Sequence, residues 1–201
     1  LIRTSDRPEY FRRCIQHIDE QLYCDVRVLV SADSKETATY VRAEGIEPIL
    51  VPRMERTATK TFPWNLYLNA LKAHVKEGWI LILDDDDYLS NELALQVLAN
   101  NLPDEDTMLV CKMEYPDGST LPDEAYWGKT PFTRRHISMP TICFHSKWKH
   151  HVDFDGMRAG DYRFANKLLK YVKGVKWLDY VVVGLSNYGL NGSKKDLNEK
   201  G

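Results

Sequence analysis

No apolar run in this sequence approaches the ~20 residues that a membrane-spanning helix requires, and no cationic start leads into a short apolar stretch of the secretory kind. Cysteine is scarce. Cys14, Cys24, Cys111 and Cys143 form neither a CxxC pair nor a tight framework, which argues against a disulfide scaffold or a paired-cysteine zinc site. It suits mostly buried free thiols in a reducing, cytoplasmic compartment. Net charge is small, −2 at pH 7, so nothing electrostatic points to nucleic acid. A P-loop, a GxGxxG fingerprint and a GxSxG elbow are all missing, as are internal repeats. An initiator methionine is missing too: the chain opens on Leu1-Ile2-Arg3 as if partway through a strand, so upstream residues and any targeting signal are expected to precede it. What is present is ordinary for a globular protein, 43% apolar and 28% charged residues over 201 positions, enough for one substantial core.

The pattern along the chain alternates. "LIRTS" reads as a strand end, and Pro8 suits the first turn of a helix to about Leu22. "DVRVLVSA" (25–32) reads as a strand, 34–44 as a helix stopping near Gly45, and "EPILVP" (47–52) as a third strand. Pro63 opens a helix in which Trp64, Leu68, Leu71 and Val75 recur at helical spacing. "WILIL" (79–83) is continuously apolar, as a strand buried on both faces should be, and Ser90 is placed to cap a helix carrying Leu93, Val97 and Leu98. This βα alternation to about residue 102 predicts an α/β fold with a mostly parallel sheet flanked by helices. The second half is less regular: strands near 107–113 and 177–184, "TICFHS", and a helix near 160–172. One domain is expected over 1–190, with a nucleotide-binding half to 102, an acceptor half from 103, and a flexible polar tail over 191–201.

The strand "WILIL" runs directly into Asp84, Asp85, Asp86 and Asp87. Carboxylates ~4–6 Å apart repel by about 1–4 kcal/mol per pair, depending on screening, and folding does not ask for four of them. Ligands of open α/β sheets bind beyond the carboxyl ends of the strands, which is where these acids fall. Hard divalent cations take carboxylate oxygens and complete their shell with phosphates; the bland alternative is a solvated acidic turn.

Four further features accompany the cluster in order. "LDDDDYL" resembles the DxD motif of GT-A glycosyltransferases of family 2, commonly L-D-x-D-D. "RTSDRPEYFRRCIQHI" is similar to that family's first strand and helix, and "VLVSADSKET" to the strand ending in its uracil-binding aspartate. Asn69, fifteen residues before Asp84, stands about where the family places an asparagine. "AGDYRFANKLL" resembles its late E-D segment, which carries the catalytic base. The resemblance spans roughly residues 2–172 and departs from the family at Gly160, where the glutamate should be, and at Leu68, where an arginine should be.

The resemblance implies a GT-A-like fold and a metal-dependent inverting enzyme. Such an enzyme would move a hexose or deoxyhexose from a UDP-sugar to a hydroxyl of a glycan or glycoprotein. It further implies that Thr4, Ser5, Arg7, Asp33 and Asn69 contact the nucleotide sugar. Asp84 would face the ribose, with Asp85 beside it at the x position, while Asp86, assisted by Asp87, would hold Mn2+ or Mg2+. Asp161 would be the base. The likeness extends to viral members of the family that act on a capsid protein of large algal viruses, making a capsid glycan in the host cytoplasm one expected acceptor.

Each residue also has a structural reading. Asp33 reads equally as the next helix's N-cap, the Thr4–Pro8 stretch as a plain turn, and Asp161 as a first-turn acid favoured by the helix dipole. Asp153 and Asp155 are alternative bases. Arg53, Arg56 and Lys60 are either diphosphate or acceptor contacts or solvated charges, and Asn65 shares a helix stripe with Asn69. Trp127 stacks on a sugar or anchors a loop; His145 is a further metal ligand or part of a polar rim. Two other functions remain open from the residues: a sugar-1-phosphate nucleotidyltransferase, which would normally show a glycine- and arginine-rich loop near its start, and a catalytically inactive sugar-binding module.

Overall fold

The structure is a computed structural model that describes residues 1–186; the polar tail expected at 191–201 lies outside the described residues. Strand β1 (Ile2–Arg3) leads to helix α1 (Pro8–Asp19), with Pro8 at its start, where no intrahelical N–H is needed. Phe11, Cys14 and Ile15, at i, i+3 and i+4, turn one stripe of α1 inward. Strand β2 (Val30–Ala32) and helix α2 (Lys35–Ala43) follow. The α2 N-cap is Ser34, whose Oγ accepts from the Thr37 N–H at 3.0 Å, so Asp33 is not spent on capping. After β3 (Ile49–Leu50), a 3₁₀ turn at Pro63–Leu66 feeds α3 (Tyr67–His74).

The apolar run "WILIL" is shared between two sheets: β4 (Trp79–Leu81) belongs to one, and β5 (Leu83–Asp84) to the other. Its side chains alternate between two cores, Ile80 and Ile82 in one and Leu83 in the other, with Trp79 and Leu81 packed against that second core. That alternation is why every position is apolar. Next come β6 (Asp87–Leu89), α4 (Ala94–Asn100), β7 (Thr107–Glu114), β8 (Thr120–Leu121), β9 (Ile142–His145), α5 (Gly160–Leu168) and β10 (Gly174–Leu185). Ser90 does not cap α4 as expected. Its hydroxyl donates to the Val181 carbonyl at 2.6 Å, and Asn91 Oδ1 accepts from the Leu93 N–H instead.

One sheet is parallel, in the order β3-β2-β1-β5. The other runs β4-β9-β7-β10-β6, with β8 on β7, and only its β7–β10 pair is parallel. Strands from residues 79–89 therefore pair with strands from beyond residue 106, interlocking the two halves in a single α/β domain. One core packs under α1, α2 and α4, the other under α3 and α5. Cys14, Cys111 and Cys143 are buried as free thiols and Cys24 is exposed. Among the described residues no helix is long and apolar enough to cross a membrane.

Candidate active site

The register Arg3 beside both Ser31 and Asp84 brings the carboxyl ends of β1, β2 and β5 together, the place where parallel sheets bind ligands. A cavity of about 680 Å³ opens there. Thr4, Ser5, Arg7 and Asp33 line it, together with Asp84, Asp86 and Asp87 and, from α5, Asp161.

Just after β2, Asp33 Oδ2 accepts from the Ser5 hydroxyl at 3.0 Å and from the Tyr67 hydroxyl at 3.1 Å. Tyr67 in turn accepts from the Met54 N–H at 2.9 Å, tying the loop after β3 to this wall. Thr4 and Tyr40 share a hydroxyl–hydroxyl hydrogen bond of 2.7 Å. Arg53 is ion-paired with Asp6, and Arg56 lies 4.6 Å over the Trp64 ring; both arginines line the cavity, Lys60 does not.

The four aspartates are not equivalent, because the chain reverses between β5 and β6 through Asp85 and Asp86. Asp84 Oδ1 receives Arg3 Nε at 3.0 Å and Nη2 at 2.9 Å. Asp86 Oδ2 receives Arg7 Nη1 at 2.8 Å. Asp85 turns away from the cavity: it is fully buried and paired with the other arm of Arg7. It is therefore not placed to contact a nucleotide sugar, a correction to the reading of the x position. Burial pushes its carboxyl up to about 7, against the opposing pull of Arg7. Asp87 is 8% exposed and its pKa is also raised, by burial first and then by the charges of Asp84, Asp86 and Asp85.

Asp161 occupies the first turn of α5 and accepts from the Tyr162 N–H at 2.8 Å. Burial raises its pKa, this hydrogen bond opposes the rise, and the nearby charge of Asp84 adds to it. The two alternative bases are spoken for and do not line the cavity. Asp155 receives Arg163 Nε at 2.7 Å, and Asp153, 73% exposed, receives Lys72 Nζ at 3.2 Å.

Three other expected contacts are corrected. Asn69 exchanges two 2.9 Å hydrogen bonds with the backbone of Phe154 and lies off the cavity; Asn65, one turn earlier, lines it. Trp127 packs edge-on against Trp177, ring centroids 5.1 Å apart, beneath the Lys112 ammonium, and reaches no part of the cavity. His145 stands at the far end of the sheet, because antiparallel pairing sets it against Trp79, the first residue of β4. There its ring packs 5.6 Å from that indole, and Nδ1 accepts from the Lys147 N–H.

Asn65 also accounts for Gly160. Its Oδ1 accepts from Arg3, its Nδ2 donates to the Met157 carbonyl at 3.2 Å, and a Cβ at Gly160 would stand 2.6 Å from that same Nδ2. The carboxamide thus fills the space a side chain at 160 would need, and links Asp84, through Arg3, to the segment entering α5. Gly160→Ala should lower stability by about 1–3 kcal/mol through this overpacking. Adding Asn65→Ala should recover part of the loss, a non-additivity that urea unfolding of the two single variants and the double variant would measure.

Could the acid cluster hold a divalent cation? Among the described residues no three His, Cys, Asp or Glu side chains form a ready ligand group, and Arg3 and Arg7 pair with Asp84 and Asp86. The donor set nonetheless fits Mn2+ or Mg2+: three carboxylates bordering one cavity supply hard oxygens. Ions of this kind are commonly held by one or two carboxylates, with phosphate and water completing the shell.

The model of the family described as "Glycosyl transferase family 2" matches residues 1–169. No curated protein matches the chain. Among solved structures, residues 1–349 of S. aureus TarS superpose with a TM-score of 0.69 at 18% identity, covering 92% of this chain and 58% of that one. The same protein in complex with UDP-GlcNAc gives 0.67 at 18%, covering 91% and 56%. The mannosyltransferase PcManGT from Pyrobaculum calidifontis, in complex with GDP-Man and Mn2+, gives 0.65 at 16%, covering 91% and 55%. The chain thus spans less than two thirds of the length of each. At these identities the likeness is one of fold.

Proposed function

The chain belongs to glycosyl transferase family 2, and from that premise we propose that it transfers a hexosyl or deoxyhexosyl group from a UDP-sugar to a hydroxyl of a glycan or glycoprotein, with inversion. The observation that carries this reading is the convergence of Asp84, Asp86 and Asp161 with the strand-end residues Ser5 and Asp33 on one cavity. In this reading the Asp33 carboxylate accepts from the uracil ring N–H. Its fit for that role lies in the two hydroxyls that already orient it. Asp86 and Asp87 would hold Mn2+ or Mg2+, with Asp84 toward the ribose. When bound, such a cation supplies positive charge where the departing diphosphate gains negative charge.

The transfer itself needs a base on the acceptor side. Asp161 takes the proton of the acceptor hydroxyl as that oxygen attacks the anomeric carbon. The bond from that carbon to the diphosphate oxygen breaks, and UDP leaves from the opposite face. A single displacement inverts the anomeric centre. A capsid glycan, as in viral members of the family, is the more specific acceptor proposed.

Calorimetric titration of UDP with and without Mn2+ tests the donor site. Binding to the wild type should tighten at least 10-fold with Mn2+, and Asp86→Ala should abolish that gain. UDP that fails to bind, or binds wild type and variant equally with and without metal, would overturn the reading.

A further inference from the structure

Three arginines on the cavity wall have no role in the donor site described above. Arg134 and Arg135 come from the loop before β9, Arg158 from the segment before α5, and all three are exposed and line the cavity alongside Asp161. Among the described residues none of them is ion-paired. Surface arginines are often merely solvated, but these stand on fixed backbone. Phe132, Ile137 and Met139 anchor the first loop in the core. Asn166 clamps it at both backbone groups of Phe132, accepting from the N–H at 2.9 Å and donating to the carbonyl at 3.1 Å. The Arg158 N–H donates to Thr61 Oγ1, and its carbonyl accepts from Arg163 Nη1 at 2.8 Å. Arg135 and Ala159, both non-glycine, hold left-handed backbone at φ 72° and 60°, a conformation that persists only where the surroundings impose it.

Three other arginines of the cavity wall are already engaged by carboxylates of this chain. Arg3 answers Asp84, Arg7 answers Asp85 and Asp86, and Arg53 answers Asp6. A UDP-sugar diphosphate with a divalent cation is close to neutral, so it brings no net negative charge for Arg134, Arg135 and Arg158. Their planar forks suit carboxylate or phosphate oxygens. We infer that the acceptor is anionic, its charged group received by Arg134, Arg135 and Arg158 while its hydroxyl faces Asp161. This inference rests on the glycosyl-transfer reading of the same cavity.

The test is calorimetric titration of glucose 6-phosphate, glucuronate and glucose into protein saturated with UDP and Mn2+. At least one charged sugar should bind 10-fold or more tightly than glucose, and which one does so distinguishes a phosphate from a carboxylate acceptor. The R134A/R135A/R158A variant should lose that preference while its UDP affinity stays within twofold of wild type. Glucose binding as tightly as both charged sugars would overturn the inference, and so would a variant with weakened UDP binding, which would assign these arginines to the donor. Failure of the wild type to bind UDP is a separate result that counts against the donor reading. The same titrations into unliganded protein would then still decide whether the arginines prefer a charged sugar.

Discussion

Replacing Asp161 by Asn should lower turnover by about 10²–10⁴-fold, the range that a positioned general base contributes, with UDP affinity unchanged. Asparagine keeps the shape and can still accept from the Tyr162 N–H, so folding is not what the substitution removes. The pH profile separates a base from a structural acid. The Asp161 carboxyl is held above its ordinary value of 3.8, chiefly by burial. As pH falls through that raised pKa the base takes up a proton, so wild-type turnover should decline on the acid side. The residual rate of Asp161→Asn should lack that limb. Turnover of Asp161→Asn within a few-fold of wild type, or an unchanged acid limb, would remove Asp161 from the mechanism.

Arg7→Ala should cost about 1.4 kcal/mol more stability at pH 8 than at pH 5, because a buried carboxylate left without its partner takes up a proton, at about 1.4 kcal/mol per pH unit above the wild-type pKa. Asp85 is completely buried and its folded-state pKa is about 7, against an ordinary 3.8. Between those values the folded chain keeps a proton that the unfolded chain releases, so this group's contribution to stability falls as pH rises from about 4 to 7. Arg7 restrains the rise; without it the folded pKa climbs further and the decline continues to higher pH. The gap between wild type and variant should therefore be largest above pH 7 and narrow toward pH 5, where Asp85 is protonated in both. Urea unfolding at pH 5 and pH 8, without added metal, measures it. An equal gap at both values would mean that Arg7 acts on stability by some route other than Asp85.

These two residues also show where sequence reasoning reached and where it stopped. Local chemistry wrote much of the fold into the chain. Pro8 starts α1, the apolar stripe of α1 recurs at helical period, and "WILIL" is apolar throughout because its side chains alternate between two cores. A strand ending in four acids placed the cluster at the carboxyl edge of a parallel sheet, while Asp161 was singled out by the likeness of its segment to the family's late E-D segment, its place at a helix start suiting a base and a surface acid equally. Arg134, Arg135 and Arg158 passed unnoticed, since exposed loop arginines carry no periodic signal. Their only mark was to be basic residues near segments already suspected.

What only the tertiary structure decided depends on contacts between residues far apart in the chain. Asp85 is indistinguishable from its neighbours as a letter, and the reversal between β5 and β6, with Arg7 78 residues away, turns it inward. Asn65 and Asn69 read along the chain as one helical stripe, yet Asn65 stands in the 3₁₀ turn and meets Arg3 and Met157, while Asn69, in α3, is consumed by Phe154, 85 residues on. Trp127 and His145 had chemistry suited to a site, but pairing with Trp177 and with β4 took them elsewhere. Period, capping and charge type are properties of neighbouring residues and can be read along the chain. Which way a side chain points at a sheet's edge is set by partners that only folding brings together.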